Sequence, residues 1–338
     1  MNNPMRIPQQ PLPPQEIVVE MPKPVFDPVP AKLPHIFRVE SVERYPTERH
    51  QVVTRVALFH ERGSLTVEWR APHVDVRITR GVLVGIRWLG NPVSRDGALQ
   101  ISRLVVLEQA EPEVNLCHLI PHGWVQDREV VHRAAALLES MPRGFRHLFN
   151  AVFWEGGRFE RFLTGPSSIK GHHNGLNGNF RHSVEVAEQA LQQGCGREVI
   201  FPPLLSLGGL LHDAGKADEY RYDRGMQSFV LSERGQLIGH KHTLLEWLAT
   251  ARARHRVILP EAHYLAMLHV LTAVKGAPDW LGMRVPRRLE AIILARVDGL
   301  SGDADLFGRC MPTKRGFGCY HPHLGIKPFA ISTAPAGE

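Results

Sequence analysis

The chain has 338 residues, enough for about two domains and a full hydrophobic core. Its 40 lysines and arginines exceed 34 acidic residues, and the net charge of +6 favours polyanionic partners without requiring nucleic acid. Four cysteines are too few for a disulfide scaffold, and no apolar stretch approaches the roughly 20 residues of a membrane span. We therefore expect a soluble cytoplasmic protein with free thiols. The oligomeric state stays open, with a homo-oligomer as one option.

Proline dominates the first 34 residues. Residues 1–34 hold ten of the 26 prolines and show little periodic apolar content. Such a segment buries too little apolar surface to offset the entropy lost on ordering. We expect residues 1–34 to form a flexible arm or a docking peptide.

Short runs of alternating apolar residues follow the arm and predict β-strands. Turn signals at Arg62-Gly63, Arg80-Gly81 and Asp96-Gly97 separate the runs. The predicted strands are Val52–Leu58, Leu65–Trp69, Val74–Ile78, Val82–Trp88 and Leu99–Val106. Five short strands in about 70 residues favour a small closed barrel, which we place at residues 35–115.

Beyond Arg128 the apolar period becomes helical. The predicted helical runs are Val130–Leu138, Val184–Leu191, Leu204–Leu211, Leu244–Leu248, Tyr264–Leu271 and Leu289–Val297. The fold class is therefore α+β and multidomain, with an N-terminal β-barrel followed by an all-α bundle. The predicted boundaries place a helical connector at 116–165, the bundle at 166–308 and an irregular C-terminal tail at 309–338.

Histidines and aspartates on the predicted helices carry the chemistry. His212 and Asp213 are adjacent, so an imidazole nitrogen and a carboxylate oxygen can reach one divalent cation. Further candidate ligands are His182 at the start of one predicted helix, His240, His269, and Asp298 near the end of the last. Packed helices can aim such residues at one internal point. A single histidine on an apolar face is more often a core residue, so the joint pattern carries the prediction.

Three stretches resemble a known family. Residues 166–174 (PSSIKGHHN) lead into residues 181–187 (RHSVEVA), residues 235–240 read GQLIGH, and residues 288–300 run from RLEA to RVDGL. With His212-Asp213, their order resembles the HD superfamily of metal-dependent phosphohydrolases and, within it, the YhaM-type 3′→5′ exoribonucleases. The resemblance covers roughly residues 36–305. It implies an OB-like nucleic-acid-binding barrel at 35–115 and an HD domain at 166–308.

This resemblance implies a metal-dependent phosphodiesterase, a 3′→5′ exonuclease acting on single-stranded RNA or DNA. The cofactor would be a divalent metal, with Mn, Mg, Co, Ni and Fe as candidates. The implied ligands are His182, His212, Asp213, His240, His269 and Asp298. Asp213 also counts as catalytic, because a carboxylate there could bridge two ions.

One stretch departs from the family. Its members usually carry a paired His-His-Gly where this chain has Val274 and Lys275. Five residues of α-helix rotate a side chain by about 140°, so His269 does not simply replace the pair. We therefore expect at most one tightly bound transition metal per chain, with any second ion weak and dependent on His240 or substrate phosphates.

Three further residues are predicted to act on the phosphate. Lys216, three residues after Asp213, is placed to meet a phosphate oxygen, although a surface lysine is the alternative. His172 and His173 are predicted to contact the scissile phosphate or to protonate the leaving oxygen. Their alternative role is that of a structured loop capping the pocket.

The predicted strands carry candidate nucleic-acid contacts. Trp69 and Trp88 would stack on bases, as aromatic side chains do in single-strand-binding barrels. Arginines on the strands would meet phosphates: Arg55, Arg70, Arg77 and Arg87. Small barrels also bury tryptophans to fill the core, so both interpretations stay open.

Two other functions stay open as well. HD-type relaxases of conjugative elements share a similar His-His lead-in and HD segment but lack a preceding barrel, so a mobile-element nuclease is one alternative. A catalytically impaired nucleic-acid-binding adaptor is the other, because Val274 and Lys275 replace the paired histidines. Metal content and hydrolysis separate the adaptor from both enzymes.

Overall fold

The computed structural model describes residues 33–47, 50–155, 157–169, 171 and 173–331. Within this part the chain is α+β, because a five-stranded sheet precedes a run of helices. The predicted proline-rich arm lies almost entirely outside the described residues. None of the described helices combines the length and the apolar character that crossing a bilayer requires.

The N-terminal sheet contains β1 (Phe37–Pro46), β2 (Val52–Phe59), β3 (Leu65–Ala71), β4 (Leu83–Arg95) and β5 (Ala98–Val106). The hydrogen-bonded order is β1-β2-β3-β5-β4, and β4 pairs back to β1 at Phe37 and Arg38. All pairs are antiparallel except β3 with β5, which are parallel over two residues. Alternate residues of each strand point to opposite faces. One set, including Phe37, Val56 and Ile101, fills the core of the sheet.

The predicted strand Val74–Ile78 is wrong. The Asp75 carboxylate accepts a hydrogen bond from the backbone N–H of Arg77 at 3.1 Å, and Val76 is 77% exposed. An aspartate that binds the backbone two residues later stabilises a turn, so local hydrogen bonding overrides the alternating pattern. The fifth strand is instead β1, which was not predicted.

The helices are α1 (Arg128–Glu139), α2 (Arg143–Phe153), α3 (Arg158–Thr164), α4 (Gly178–Gly194), α5 (Pro202–Leu211), α6 (Lys216–Glu219), α7 (Glu233–Leu237), α8 (His240–Arg254), α9 (Glu261–Thr272) and α10 (Leu289–Cys310). Every predicted helical run lies inside one of them. A hairpin of β6 (Tyr220–Asp223) and β7 (Ser228–Leu231) separates α6 from α7. The predicted irregular tail contains a second short hairpin, β8 (Gly316–Phe317) with β9 (Phe329–Ala330).

One hydrophobic core extends through the helical part. Helices α1 to α3, predicted as a connector, contribute buried residues to the same cluster as α4, α5, α8, α9 and α10. The Phe153 ring lies 4.8 Å from that of Phe162, and Phe162 lies 5.9 Å from Phe180 on α4. Through these aromatic contacts α4 packs against α3, and α3 packs against α2.

A buried arginine joins the sheet to the helical part. Arg38 on β1 is 2% exposed, and its Nε and Nη1 donate to the carbonyl oxygens of Leu119 and Gly81, each at 2.7 Å. Its guanidinium lies 5.1 Å from the Trp124 ring centroid and 5.3 Å from that of Phe159. A charge removed from water needs such hydrogen bonds and ring faces to offset the lost hydration.

Replacing this arginine should therefore destabilise the whole chain. We expect Arg38→Ala to lower the free energy of unfolding by about 3 kcal/mol, because two buried carbonyls lose their donor and a gap opens between two rings. Urea unfolding followed by tryptophan fluorescence measures the change. Arg103→Ala, at an exposed position of β5, is the control and should change the same quantity by less than about 0.5 kcal/mol. Equal effects of the two substitutions would contradict the structural role of Arg38.

Candidate metal centre

Four side chains from three segments converge on one point. His182 lies on α4, His212 and Asp213 follow α5 directly, and Asp298 lies on α10. One potential ligand atom of each lies within 4.8 Å of the others. We call these four residues the metal-binding cluster. Asp298 was predicted near the end of its helix, but α10 continues to Cys310, so Asp298 lies near the middle.

The distances within the cluster suit a small cation. Nε2 of His182 lies 3.1 Å from Oδ1 of Asp298 and 3.2 Å from Nε2 of His212. Nε2 of His212 lies 3.4 Å from Oδ2 of Asp213. Two imidazole nitrogens and two carboxylates form a mixed nitrogen and oxygen donor set, which suits first-row transition metals better than calcium. The residues present therefore fit a divalent metal.

Neighbouring groups orient both imidazoles. Nδ1 of His212 donates to the carbonyl oxygen of Gly209 at 2.7 Å, which turns the Nε2 edge of the ring toward Asp213. Nδ1 of His182 lies 3.1 Å from the hydroxyl of Ser301, which follows Asp298 by three residues on α10. Partners on the far ring nitrogen fix the tautomer and direction of metal-binding histidines. Helix α10 thus supplies both a ligand and the group that orients another.

The electrostatics keep both carboxylates ionised. Burial raises the pKa of Asp213, but Lys216, His212 and His182 outweigh this and hold it well below the usual range. Burial also raises the pKa of Asp298, but hydrogen bonds from His182 and His212 lower it further than burial raises it. For His212, burial lowers the pKa while Asp213 and Asp298 raise it, with a net rise. The two carboxylates favour the protonated form of His212, and a metal bound at Nε2 would compete with that proton.

His240 lies at the edge of the cluster. It begins α8, and its Nε2 is 3.5 Å from Oδ1 of Asp213. Its Nδ1 lies 2.7 Å from Oε2 of Glu219, and this contact lowers the pKa of the Glu219 carboxyl against the effect of burial. Glu219 was not predicted, although it follows Lys216 by three residues on one turn of helix. It orients His240 as Ser301 orients His182.

His269 lies outside the cluster, contrary to its prediction as a ligand. Its Nε2 accepts a hydrogen bond from the backbone N–H of Arg287 at 2.9 Å, so the ring serves the segment that precedes α10. Helix α9 ends at Thr272, and Val274 donates through its backbone to Arg284 at 3.0 Å. Val274 and Lys275 therefore lie beyond the helix, and the 140° rotation expected between His269 and these residues does not apply.

The loop before α4 lies against the cluster. Lys216 Nζ is 2.5 Å from Oδ2 of Asp213 and 3.3 Å from the hydroxyl of Ser167 in this loop. The His173 ring centroid lies 5.4 Å from that of His182, and burial lowers the pKa of His173. His172 lies outside the described residues.

The residues predicted to contact nucleic acid differ in how accessible they are on the sheet. Trp69 is 8% exposed and belongs to the core of the sheet, so it fills space and does not present a face to bases, which corrects its prediction. Trp88 is half-buried and packs against the same core.

The predicted arginine contacts differ in their partners. Arg77 forms ion pairs with Asp75 and Glu108, and Arg55 donates a hydrogen bond to the carbonyl of Asp96. Arg70 and Arg87 are exposed, and no ion pair engages either within the described part.

Comparison with known proteins gives distant similarities, one of which is to an exoribonuclease. The chain is 26% identical over 152 residues to the 3′-5′ exoribonuclease YhaM of Bacillus licheniformis, a stretch that is 45% of this chain and 47% of the relative. The chain thus spans about half the length of that relative. No protein-family model matches the sequence. No solved structure matches it either. The similarity supports the resemblance to this type of exonuclease without covering the whole of either protein.

A small residue next to the cluster sets the position of His240. A Cβ atom at Gly215 would lie 2.1 Å from the carbonyl oxygen of His240 and 2.8 Å from its carbonyl carbon. The φ angle of Gly215 is −63°, which any residue adopts, so space and not backbone conformation requires glycine here. The backbone of His240 can pack against the segment between Asp213 and α6 because residue 215 has no side chain.

The metal-binding cluster should depend on Asp213. We expect wild-type protein to retain about one tightly bound transition metal per chain, and Asp213→Ala to retain almost none, because the substitution removes the carboxylate nearest both His212 and Lys216. Inductively coupled plasma mass spectrometry after dialysis measures the metal, and circular dichroism shows that the helices persist. Wild-type metal content in Asp213→Ala would refute the assignment, and two tightly held ions in wild type would refute the single site.

Gly215→Ala should displace His240 through overpacking. We expect it to lower the free energy of unfolding by about 1–3 kcal/mol, the usual cost of forcing atoms into a filled site. Gly299→Ala is the matched control, because residue 299 adjoins Asp298 but a Cβ there meets nothing within 4 Å. That control should be neutral or stabilising, since alanine favours the helix. Thermal and urea unfolding measure the stability of the two variants, and their metal content shows whether the position of His240 affects the cluster. A neutral Gly215→Ala would show that His240 is not held by this contact.

Proposed function

We propose that this protein is a metal-dependent phosphodiesterase of the HD type that degrades single-stranded RNA or DNA in the 3′→5′ direction. The observation that carries the proposal is the convergence of His182, His212, Asp213 and Asp298 into one oriented donor set. These residues stand in the order that the family resemblance requires. The name of the distant relative, a 3′-5′ exoribonuclease, supports both the substrate class and the direction.

The metal would be held by the two imidazole Nε2 atoms and the two carboxylates, with His240 beside Asp213. A divalent ion bound there would lower the pKa of a coordinated water and polarise a phosphoryl oxygen. Mn, Fe, Co and Ni agree with this donor set, while Mg is usually bound by oxygen ligands alone.

Two side chains beside the cluster are placed to handle the phosphate. Lys216 contacts Asp213 and Ser167 and can share its ammonium with a non-bridging phosphate oxygen, which would position the diester next to the metal ligands. Burial lowers the pKa of His173 and so disfavours the charged form of its imidazole. A neutral ring favours a hydrogen bond to the phosphate over donation of a proton to the leaving oxygen.

The five-stranded sheet would act as an OB-like platform for the strand, within the proposed domain at residues 35–115. Its exposed cations Arg70 and Arg87 would contact phosphates, so binding should weaken as salt rises. A sheet in front of the helical part favours the exonuclease over the mobile-element alternative. The four-residue cluster forms without His269, Val274 or Lys275, which favours the enzyme over the impaired-adaptor alternative.

The direction of degradation can be measured with end-labelled strands. Full-length protein with Mn²⁺ should shorten a 5′-labelled single strand into a ladder, and should release labelled mononucleotide at once from a 3′-labelled strand. RNA and DNA of one sequence give the sugar preference, and parallel reactions with Mg²⁺, Co²⁺ and Ni²⁺ give the metal preference. Asp298→Asn should reduce turnover by at least about a hundredfold, since it removes one charged ligand. Mid-strand cleavage, or equal turnover by Asp298→Asn, would refute the proposed activity.

A further inference from the structure

A wide cleft opens beside the metal-binding cluster. Its volume is about 1300 Å³, and its walls are α3, the start of α6, the β6-β7 hairpin and five residues between α3 and α4: Gly165, Ile169, Asn174, Gly175 and Leu176. Lys216 lies in its lining and also contacts Asp213. The cleft therefore leads from solvent to the edge of the cluster.

The hairpin presents an aromatic and apolar face. Tyr220 pairs with Leu231 and Tyr222 with Phe229, so these four residues lie on one side of the two strands. The rings of Tyr222 and Phe229 lie 5.3 Å apart at 73°, an edge-to-face contact. Tyr222 is still 49% exposed and Leu231 40%. A cross-strand aromatic pair stabilises the hairpin, but it does not require half of the tyrosine to face water.

This face begins at the metal-binding cluster. Tyr220 directly follows Glu219 in the chain, the Glu219 carboxylate lies 2.7 Å from Nδ1 of His240, and Nε2 of His240 lies 3.5 Å from Asp213. Tyr222 is two residues further along the same strand, about 6.6 Å from Tyr220. The aromatic side chains thus lead outward from the cluster.

The lining of the cleft is positively charged. Its ionisable cations are Arg161, Lys216, Arg221 and Arg224, against a single carboxylate, Glu160. Most of this charge is paired: Arg161 contacts Asp218, Lys216 contacts Asp213 and Arg221 contacts Asp223, while Glu160 contacts Arg80. Arg224 is exposed, and no ion pair engages its side chain in the part of the chain that the structure describes. An unpaired cation beside exposed aromatic rings suits a ligand that carries both phosphates and flat rings.

We propose that this cleft binds the terminal nucleotides of a single-stranded nucleic acid. One base stacks on Tyr222 beside Phe229, a backbone phosphate lies near Arg224, and the strand end passes Lys216 to the cluster. The proposal rests on the proposed function and adds the path by which the substrate reaches it. Stacking and phosphate contacts do not distinguish bases, so the cleft accepts any sequence.

Binding of a fluorescein-labelled single strand, measured by anisotropy with chelator present to prevent cleavage, tests the cleft. We expect Tyr222→Leu to raise Kd about fivefold to a hundredfold, the effect of losing one base stack while keeping an apolar contact with Phe229. Tyr222→Phe keeps the ring and should bind like wild type. Arg224→Glu should raise Kd and lower the slope of log Kd against log salt by about one or more.

Two variants outside the cleft serve as matched controls. Tyr320→Ala removes another exposed tyrosine, and Arg197→Glu reverses an exposed arginine beyond the far end of α4. Neither residue lines the cleft. The proposal is overturned if Tyr222→Leu and Arg224→Glu bind within twofold of these controls. Should Tyr222→Leu unfold, Arg224→Glu at the exposed hairpin turn still decides the question.

Hydrolysis of bis-p-nitrophenyl phosphate with Mn²⁺ tests the proposed function separately. Turnover by wild type that is absent in Asp213→Ala supports the phosphodiesterase. No turnover by wild type would refute that function, while the binding comparison would still decide whether the cleft holds a strand. Turnover together with unchanged binding in the cleft variants would refute the cleft alone.

Discussion

A buried carboxylate, Asp213, holds together the centre of the helical part. Its side chain lies within 3.6 Å of nitrogen atoms on four other residues: His182, His212, Lys216 and His240. These groups come from α4, the end of α5, α6 and α8, so one anion connects segments far apart in sequence. An uncompensated charge at 5% exposure would cost several kcal/mol. The surrounding cations and imidazoles remove that cost and thereby fix where the helices meet.

Close contact between backbones makes this convergence possible. A Cβ at Gly209 would lie 2.4 Å from the Cα of Ala187, so α5 rests directly on α4 at this position. Gly215 gives the same close approach to His240. Both glycines flank the His212-Asp213 pair within a few residues. Their lack of side chains sets the distances between donor atoms, because each additional carbon would separate two ligand-bearing segments.

The sequence predicted those features that depend on local pattern. Helical periodicity and donor type located His182, His212, Asp213 and Asp298, because an adjacent His-Asp pair at a helix end is itself a local feature. His269 was misassigned, since its direction depends on contact with Arg287, which only the tertiary structure provides. Strands β6 and β7 have four residues each, too few for a visible period, so the aromatic hairpin was missed. The strand at Val74–Ile78 was wrongly predicted because its residues alternate between apolar and polar. The Asp75 side chain stabilises a turn there instead, and the alternation does not reveal that hydrogen bond.

The buried contact of Arg38 makes the junction between sheet and helices rigid. Because the guanidinium is bound on two sides and lies against two rings, it ties the sheet that carries the exposed arginines to the helical part that carries the metal-binding cluster. Under the proposed function, a strand long enough to reach both surfaces would gain from their linkage, whereas a shorter one would contact a single surface and dissociate sooner. Degradation would then change from processive to distributive at one product length, and the residue that determines this length would be an arginine that never touches the substrate.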